Sequence, residues 1–320
     1  MATTFGERAV PYTSVAPDQI GIRPPAFRLP DATRIGRIAL QVADLERSIA
    51  FYQDVIGFRI LGRGATAAQL GMPGDDRVWL DVAEKKGARP VPRRGLLGLY
   101  HFAVRLPTRG DLGRFLRHAN RPGLHVGAAD HAYSEATYLV DPDGLSVEVY
   151  RDRPRAEWLV RDGEILGASE PLAHDDLTAA AGAEPWLGLP AATVVGHVHF
   201  YVGDIGRAAA FYHAALGFDQ VGWSWGPTAL FLSAGGYHHH VGLNTWAAGS
   251  PVATDEDARL LEWELVVPDA SAVEDAAASL ERAGSQVART RHGILAADPW
   301  GINVRVVAEG GTESRAGDAA

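Results

Sequence analysis

Residues 34–58, RIGRIALQVADLERSIAFYQDVIGF, align without a gap on residues 194–218, VVGHVHFYVGDIGRAAAFYHAALGF. Asp44 matches Asp204, Phe51-Tyr52 matches Phe211-Tyr212, and Gly57-Phe58 matches Gly217-Phe218. A second pair of segments opens with YHFAVRLP and EWELVVP and closes with DPDGLSVEVY and DPWGINVRVV. An internal repeat of this period means a fold assembled from copies of one supersecondary unit. The unit reads as a strand, a helix and three further strands. RIALQV is a strand, and Asp44 can cap a helix, LERSIAFYQDVI, with Leu45, Ile49, Tyr52 and Ile56 on one stripe. Gly57 ends that helix. Further helices are expected near Asp111–His118 and Ala272–Arg282. Four copies fit, near 35–91, 96–152, 194–246 and 260–308. The expected fold is α+β: four βαβββ modules pairing into two open, barrel-like half-sheets.

The remaining segments divide the chain. Residues 1–34 are Pro-rich and aperiodic, an extended arm that could pack on a partner chain. Residues 35–152 hold modules one and two, 153–192 read as a polar, acidic linker, 193–308 hold modules three and four, and 309–320 read as a disordered tail. The net charge of −9 argues against nucleic-acid binding. With no cysteine in the chain, disulfides and thiolate ligands are excluded, so any metal must be held by His and carboxylate. No apolar run is long enough to span a membrane, and the N-terminus lacks the pattern of a secretory signal. A cytoplasmic protein is expected, and a homo-oligomer.

The richest stretch is His131–Glu148, HAYSEATYLVDPDGLSVE. Asp141-Pro142-Asp143-Gly144 reads as a tight turn. In the strand that follows, Ser146 and Glu148 share one face, with Leu145, Val147 and Val149 on the other. Taken alone, this is a hairpin with a solvated Glu. The whole string, however, resembles the signature of the extradiol ring-cleavage dioxygenases, at His131, Tyr138, Asp141, Pro142, Gly144 and Glu148. It departs from the pattern at Thr137 and Ala129, neither of which carries chemistry. The repeated modules resemble the vicinal oxygen chelate superfamily, which also holds glyoxalase I and the bleomycin-resistance proteins. The bacterial catechol 2,3-dioxygenase type is the nearest in pattern.

That resemblance implies a metal bound by a first-strand His from each of two modules and a last-strand Glu from one of them. The first-strand positions here are Arg37, His101, His197 and Glu262; the alignable last-strand positions are Glu148 and Arg305. None of the twelve histidines precedes His101. The consistent metal set is His101, Glu148 and His197, with His199 a rival to His197 on the same strand face. The set implies that module two pairs with three and module one with four, leaving Arg37 and Arg305 in a half without a metal. The resemblance further assigns His131 and Tyr138 to the substrate side. It places an acid/base His within His238-His239-His240, where His239 is preferred over its neighbours. Trp223, Trp225 and Trp246 are candidates for a pocket wall. The implied activity is Fe(II)-dependent meta-cleavage of a catechol with O₂, Mn(II) being the alternative ion. Hydroquinone cleavage, a glyoxalase-like metalloenzyme and a metal-free drug-binding protein are the rival readings.

Overall fold

The structure, a computed structural model, describes residues 9–120 and 124–311. Most of the tail expected at 309–320 lies outside the described residues. Two eight-stranded sheets carry the repeat. Modules two and three build the first. The strands Gly98–Arg105 and Val194–Tyr201 run antiparallel side by side at its centre, and each module's three later strands extend outward. Modules one and four build the second in the same way around Arg34–Val42 and Arg259–Val267. In every module the last strand runs parallel to the first. This brings each module's first and last strands, its potential ligand positions, next to one another.

The helices pack outside the sheets. The helix of each module begins at a side-chain cap: Asp44, Thr108, Asp204 and Asp269 accept the N–H three residues on, at 3.0, 3.1, 2.7 and 3.0 Å. Such caps contribute about 1 kcal/mol each. The helix expected to run from Leu45 to Ile56 is α-helical only to Ala50 and continues as a wider π-helical turn over Phe51–Ile56. Module three repeats this over Ala210–Ala215. The Phe-Tyr pair of each turn packs edge to face, with ring centroids 5.3 and 5.0 Å apart. The Tyr then reaches the next module. Tyr52 donates to Asp141 at 2.9 Å, and Tyr212 donates to Asp298 at 3.0 Å.

Those two aspartates open the DPDG and DPWG turns. One Asp141 oxygen accepts the N–H groups of Asp143 and Leu145; Asp298 does the same for Trp300 and Ile302. Burial pushes both carboxyls up to about 6. Helix-to-turn bonds thus tie module one to two and three to four, while the sheets tie two to three and one to four. Gly144 closes its turn at φ +87°, where a Cβ would lie 2.1 Å from the Val91 carbonyl oxygen.

The N-terminal arm packs on its own chain. Val10–Pro11 joins Leu159–Arg161 and Glu164–Ile165 in a small sheet. Ile20 is buried there with Tyr133, Trp158, Val160, Ile165 and Tyr237. The segment 153–192 therefore carries structure beyond joining two halves, because its Trp158, Val160 and Ile165 supply the apolar cover the arm needs. His213 is buried and donates to the Phe218 carbonyl at 2.7 Å.

In the second sheet, ion pairs fill the corresponding strand positions. Asp81 lies opposite Ala39, as Glu148 lies opposite Ala103, so Asp81 is the module-one counterpart of Glu148. Arg37 is buried and binds Asp81, Glu262 at 2.7 Å and Glu264 at 2.9 Å. Arg305 forks onto Glu262 at 2.8 and 3.0 Å. Burial pushes the Glu264 carboxyl up despite the opposing Arg37 charge. Removing one member of such a network strands buried charge and typically costs about 3–5 kcal/mol. Arg37→Ala is expected to lower the unfolding midpoint by that measure in denaturant titrations. Its metal content should equal that of the unaltered protein.

Candidate metal centre and its cavity

His101 stands on the first strand of module two, and Glu148 on the parallel strand beside it. His197 stands on the neighbouring first strand of module three, opposite Ala103. The alternation of each strand turns all three side chains to one face. The Glu148 carboxylate lies 3.0 Å from His101 Nε2 and 3.2 Å from His197 Nε2, and the two Nε2 atoms are 3.3 Å apart. All three residues are buried. Gly196 makes this approach fit: a Cβ there would lie 1.9 Å from the Tyr150 hydroxyl.

These spacings suit one small cation. An ion about 2.1 Å from two donors at right angles holds those donors about 3 Å apart. Two imidazoles and a carboxylate on one face form a donor set that binds divalent transition metals and leaves the opposite positions free. Burial by itself would raise the Glu148 carboxyl, but the His197 and His101 imidazoles reverse this and hold it well below its ordinary range. Burial lowers both imidazoles. The groups are thus set as carboxylate and neutral imidazoles, the forms that bind a cation. Among the described residues, no other group of His, Cys, Asp or Glu has this spacing.

His199 faces the same side but is engaged elsewhere. Its Nε2 accepts from the Asn244 amide at 2.9 Å, and its ring packs 5.0 Å from that of His101. The module-three counterpart of Glu148 is Gly242, which lies opposite His199. A Cβ on Gly242 would come within 2.7 Å of the His199 ring, so the site holds one carboxylate and has no room for a second there.

A cavity of about 310 Å³ opens over this cluster. His131, Tyr138 and His239 line it, together with Tyr100, Phe231, Trp225 and Trp246. Trp223 is not among the lining residues. His131 Nδ1 lies 2.7 Å from the Ala168 carbonyl oxygen, which can only accept, so that nitrogen carries a proton. In the neutral ring Nε2 then accepts from the Tyr138 hydroxyl at 2.6 Å. Burial, and then the Glu148 charge, push the Tyr138 hydroxyl well up, so it stays protonated. Thr137, an unusual residue for its position, is buried with its hydroxyl donating to the Val149 carbonyl at 2.9 Å.

The three consecutive histidines separate into three roles. His240 faces away from the cavity, its Nδ1 accepting the Ala234 N–H at 3.2 Å. His238 stacks on Tyr133 at 4.3 Å and donates from Nε2 to Asp152 at 2.8 Å. A carboxylate only accepts, so His238 Nδ1 is the acceptor for His239 Nδ1–H, 2.8 Å away. That fixes the His239 tautomer with an unprotonated Nε2. The His239 ring lies 4.1 Å from that of His197. Burial, and then the neighbouring imidazoles, push His239 well down, so it rests neutral. Burial alone would raise the Asp152 carboxyl, but His238 reverses this and keeps it ionised. The sequence reading misses Asp152 and Asn244. Asp152 is within its reach, since positions 148, 150 and 152 share one strand face.

Both halves of the chain, residues 34–149 and 194–306, match the glyoxalase/bleomycin resistance protein/dioxygenase superfamily. The chain belongs to that superfamily. It is 41% identical over 269 residues to the catechol-2,3-dioxygenase of Bacillus subtilis (strain 168), which covers 83% of this chain and 94% of the relative. A putative dioxygenase from Bacillus subtilis shares the fold, with a TM-score of 0.60 at 15% identity over 88% of this chain and 86% of that one. Glyoxalase I from Zea mays matches with a TM-score of 0.52 at 18% identity, over 88% of this chain and 94% of that one. Among the described residues, no helix is long and apolar enough to cross a membrane.

Proposed function

We propose that this chain is an extradiol dioxygenase that opens the ring of catechol or a substituted catechol with O₂, using Fe(II), with Mn(II) as the alternative ion. The observation that carries the reading is the His101–Glu148–His197 cluster at the floor of a cavity flanked by His131, Tyr138 and His239. The 41% identical catechol-2,3-dioxygenase supports the same class. A glyoxalase-like reading would call for a second carboxylate, and Gly242 stands at its position. The reading is of a cytoplasmic, homo-oligomeric enzyme.

His101, Glu148 and His197 would hold the metal, which when bound supplies Lewis acidity toward two vicinal oxygens and the redox chemistry that O₂ requires. The protein's own groups handle the protons. His239 Nε2 accepts a proton from a substrate hydroxyl, and the His238–Asp152 chain stabilises the resulting imidazolium through its Nδ1–H. On the other wall, the Tyr138 hydroxyl is held by His131 Nε2. By turning from His131, the Tyr138 O–H can donate to an oxygen on which charge develops. Tyr100, Phe231 and Trp246 keep bulk water from the reacting ring.

The test is metal analysis on protein purified without air, followed by catechol addition and admission of air. Fe(II)-loaded protein should consume O₂ and produce a yellow semialdehyde. Metal-loaded protein that leaves both catechol and substituted catechols untouched would refute the assignment.

A further inference from the structure

The walls of the cavity carry a second message, about what the substrate ring bears. The chain has 30 lysines and arginines, yet none lines the cavity among the described residues. Glu148 is the one acidic side chain in the lining. Away from the cluster, Ser169 and the ring of Tyr133 join a wall otherwise dominated by Ala129, Ala168, Ala229, Phe231, Trp225 and Trp246. Arg94 stands nearby but on the solvent side, its guanidinium 5.9 Å from the Trp246 ring centre.

Two tryptophans at such a site remain 40% exposed, which is unusual for side chains of that size. Trp246 is held in place by Tyr100, whose ring meets it edge-on at 5.7 Å, and its backbone N–H donates to Asn244 at 3.0 Å. It is thus a fixed flat surface rather than a loose side chain. The cavity is also larger than its reacting ring needs. Its 310 Å³ falls within the roughly 300–1,000 Å³ of sites that take drug-sized ligands, and unsubstituted catechol has only eight heavy atoms.

Resting on the dioxygenase reading above, we propose that the preferred substrate is a catechol whose ring carries an uncharged alkyl or aryl group, seated against Phe231, Trp225 and Trp246. A ring carboxylate would be desolvated on entering this wall and would find no lysine or arginine there to pair with. The charge of a bound divalent metal is already answered by Glu148 and by the two substrate oxygens. An apolar group of the same size exchanges water for aromatic surface and gains by it.

The test compares metal-loaded full-length protein by O₂ uptake on catechol, an alkylcatechol, an arylcatechol and two ring-carboxylated catechols. The alkyl and aryl substrates should match or exceed catechol in kcat/KM, and the carboxylated ones should fall below it by about 100-fold or more. Trp246→Ala should lower the ratio of arylcatechol to catechol kcat/KM by about tenfold. Equal turnover of a carboxylated catechol and its alkyl counterpart would overturn this inference while leaving the dioxygenase reading intact. So would an unchanged aryl-to-parent ratio in Trp246→Ala. Failure to consume any of these diols would instead overturn the reading on which it rests.

Discussion

Glu148→Gln and His101→Ala proteins are expected to leave purification with less than about a tenth of the metal held by the unaltered chain, and with no detectable ring cleavage. The reason is geometric and electrostatic. Glu148 supplies the one negative charge that faces the cation, and its oxygen stands within 3.2 Å of both imidazole nitrogens. The amide that replaces this carboxylate keeps the shape and loses the charge, so the effect isolates electrostatics from packing. Removing His101 deletes one donor of three. Loss of an outer-shell partner alone typically costs about 10- to 100-fold in metal affinity, and a direct ligand should cost more. Metal analysis after dialysis reads this without an activity assay. Thermal unfolding with and without added metal gives a second readout, since an ion that binds only the folded state raises its stability. A His101→Ala protein carrying full metal would show that the cluster is not the site.

His239→Ala, Tyr138→Phe and His131→Phe should behave oppositely, keeping the metal and losing about 100- to 10,000-fold in kcat. Each touches the cavity, and none has its free nitrogen or hydroxyl in the three-donor cluster. Tyr138→Phe is the most informative, because it keeps the buried ring and removes only the oxygen bonded to His131. Asp152→Ala should show a smaller loss in kcat with little change in KM, since Asp152, which also accepts from Arg105 and Tyr237, reaches the His239 tautomer through His238. Normal turnover by a stable, metal-loaded Tyr138→Phe protein would remove the hydroxyl from the mechanism.

The repeat makes most of the fold legible. Four strand–helix units can be read from gap-free alignment because the same apolar periods, capping residues and turn residues recur at the same offsets. The absence of any histidine before His101 points to the pairing of modules two with three, and the sheets have that order. The π-helical turns are not legible. Phe51–Ile56 has an ordinary helical stripe, and what widens the turn is packing of the Phe-Tyr pair and a bond to Asp141, 89 residues away. The packing of the arm on its own chain escapes the sequence for a related reason: Ile20 is buried by Trp158, Val160 and Ile165, which lie in or beside the strands that pair with the arm, far along the chain.

For the site, the resemblance carried by the His131–Glu148 string and the repeat positions points to His101, Glu148, His197, His131 and Tyr138, and strand alternation puts those side chains on shared faces. It could not order His238, His239 and His240. Three adjacent imidazoles are equivalent in sequence, and they are distinguished only by the partners that folding brings to them. Asp152 binds the first, His197 packs against the second, and the Ala234 N–H takes the third. The same holds for the two sheets. Arg37, Asp81, Glu262 and Arg305 occupy the positions that His101, Glu148, His197 and Gly242 occupy in the other sheet. The sequence determines which side chains stand at those positions. Only the closing of the sheets decides that one set becomes an ion-pair lattice and the other a cavity floor, because charge is neutralised in three dimensions by neighbours far apart along the chain.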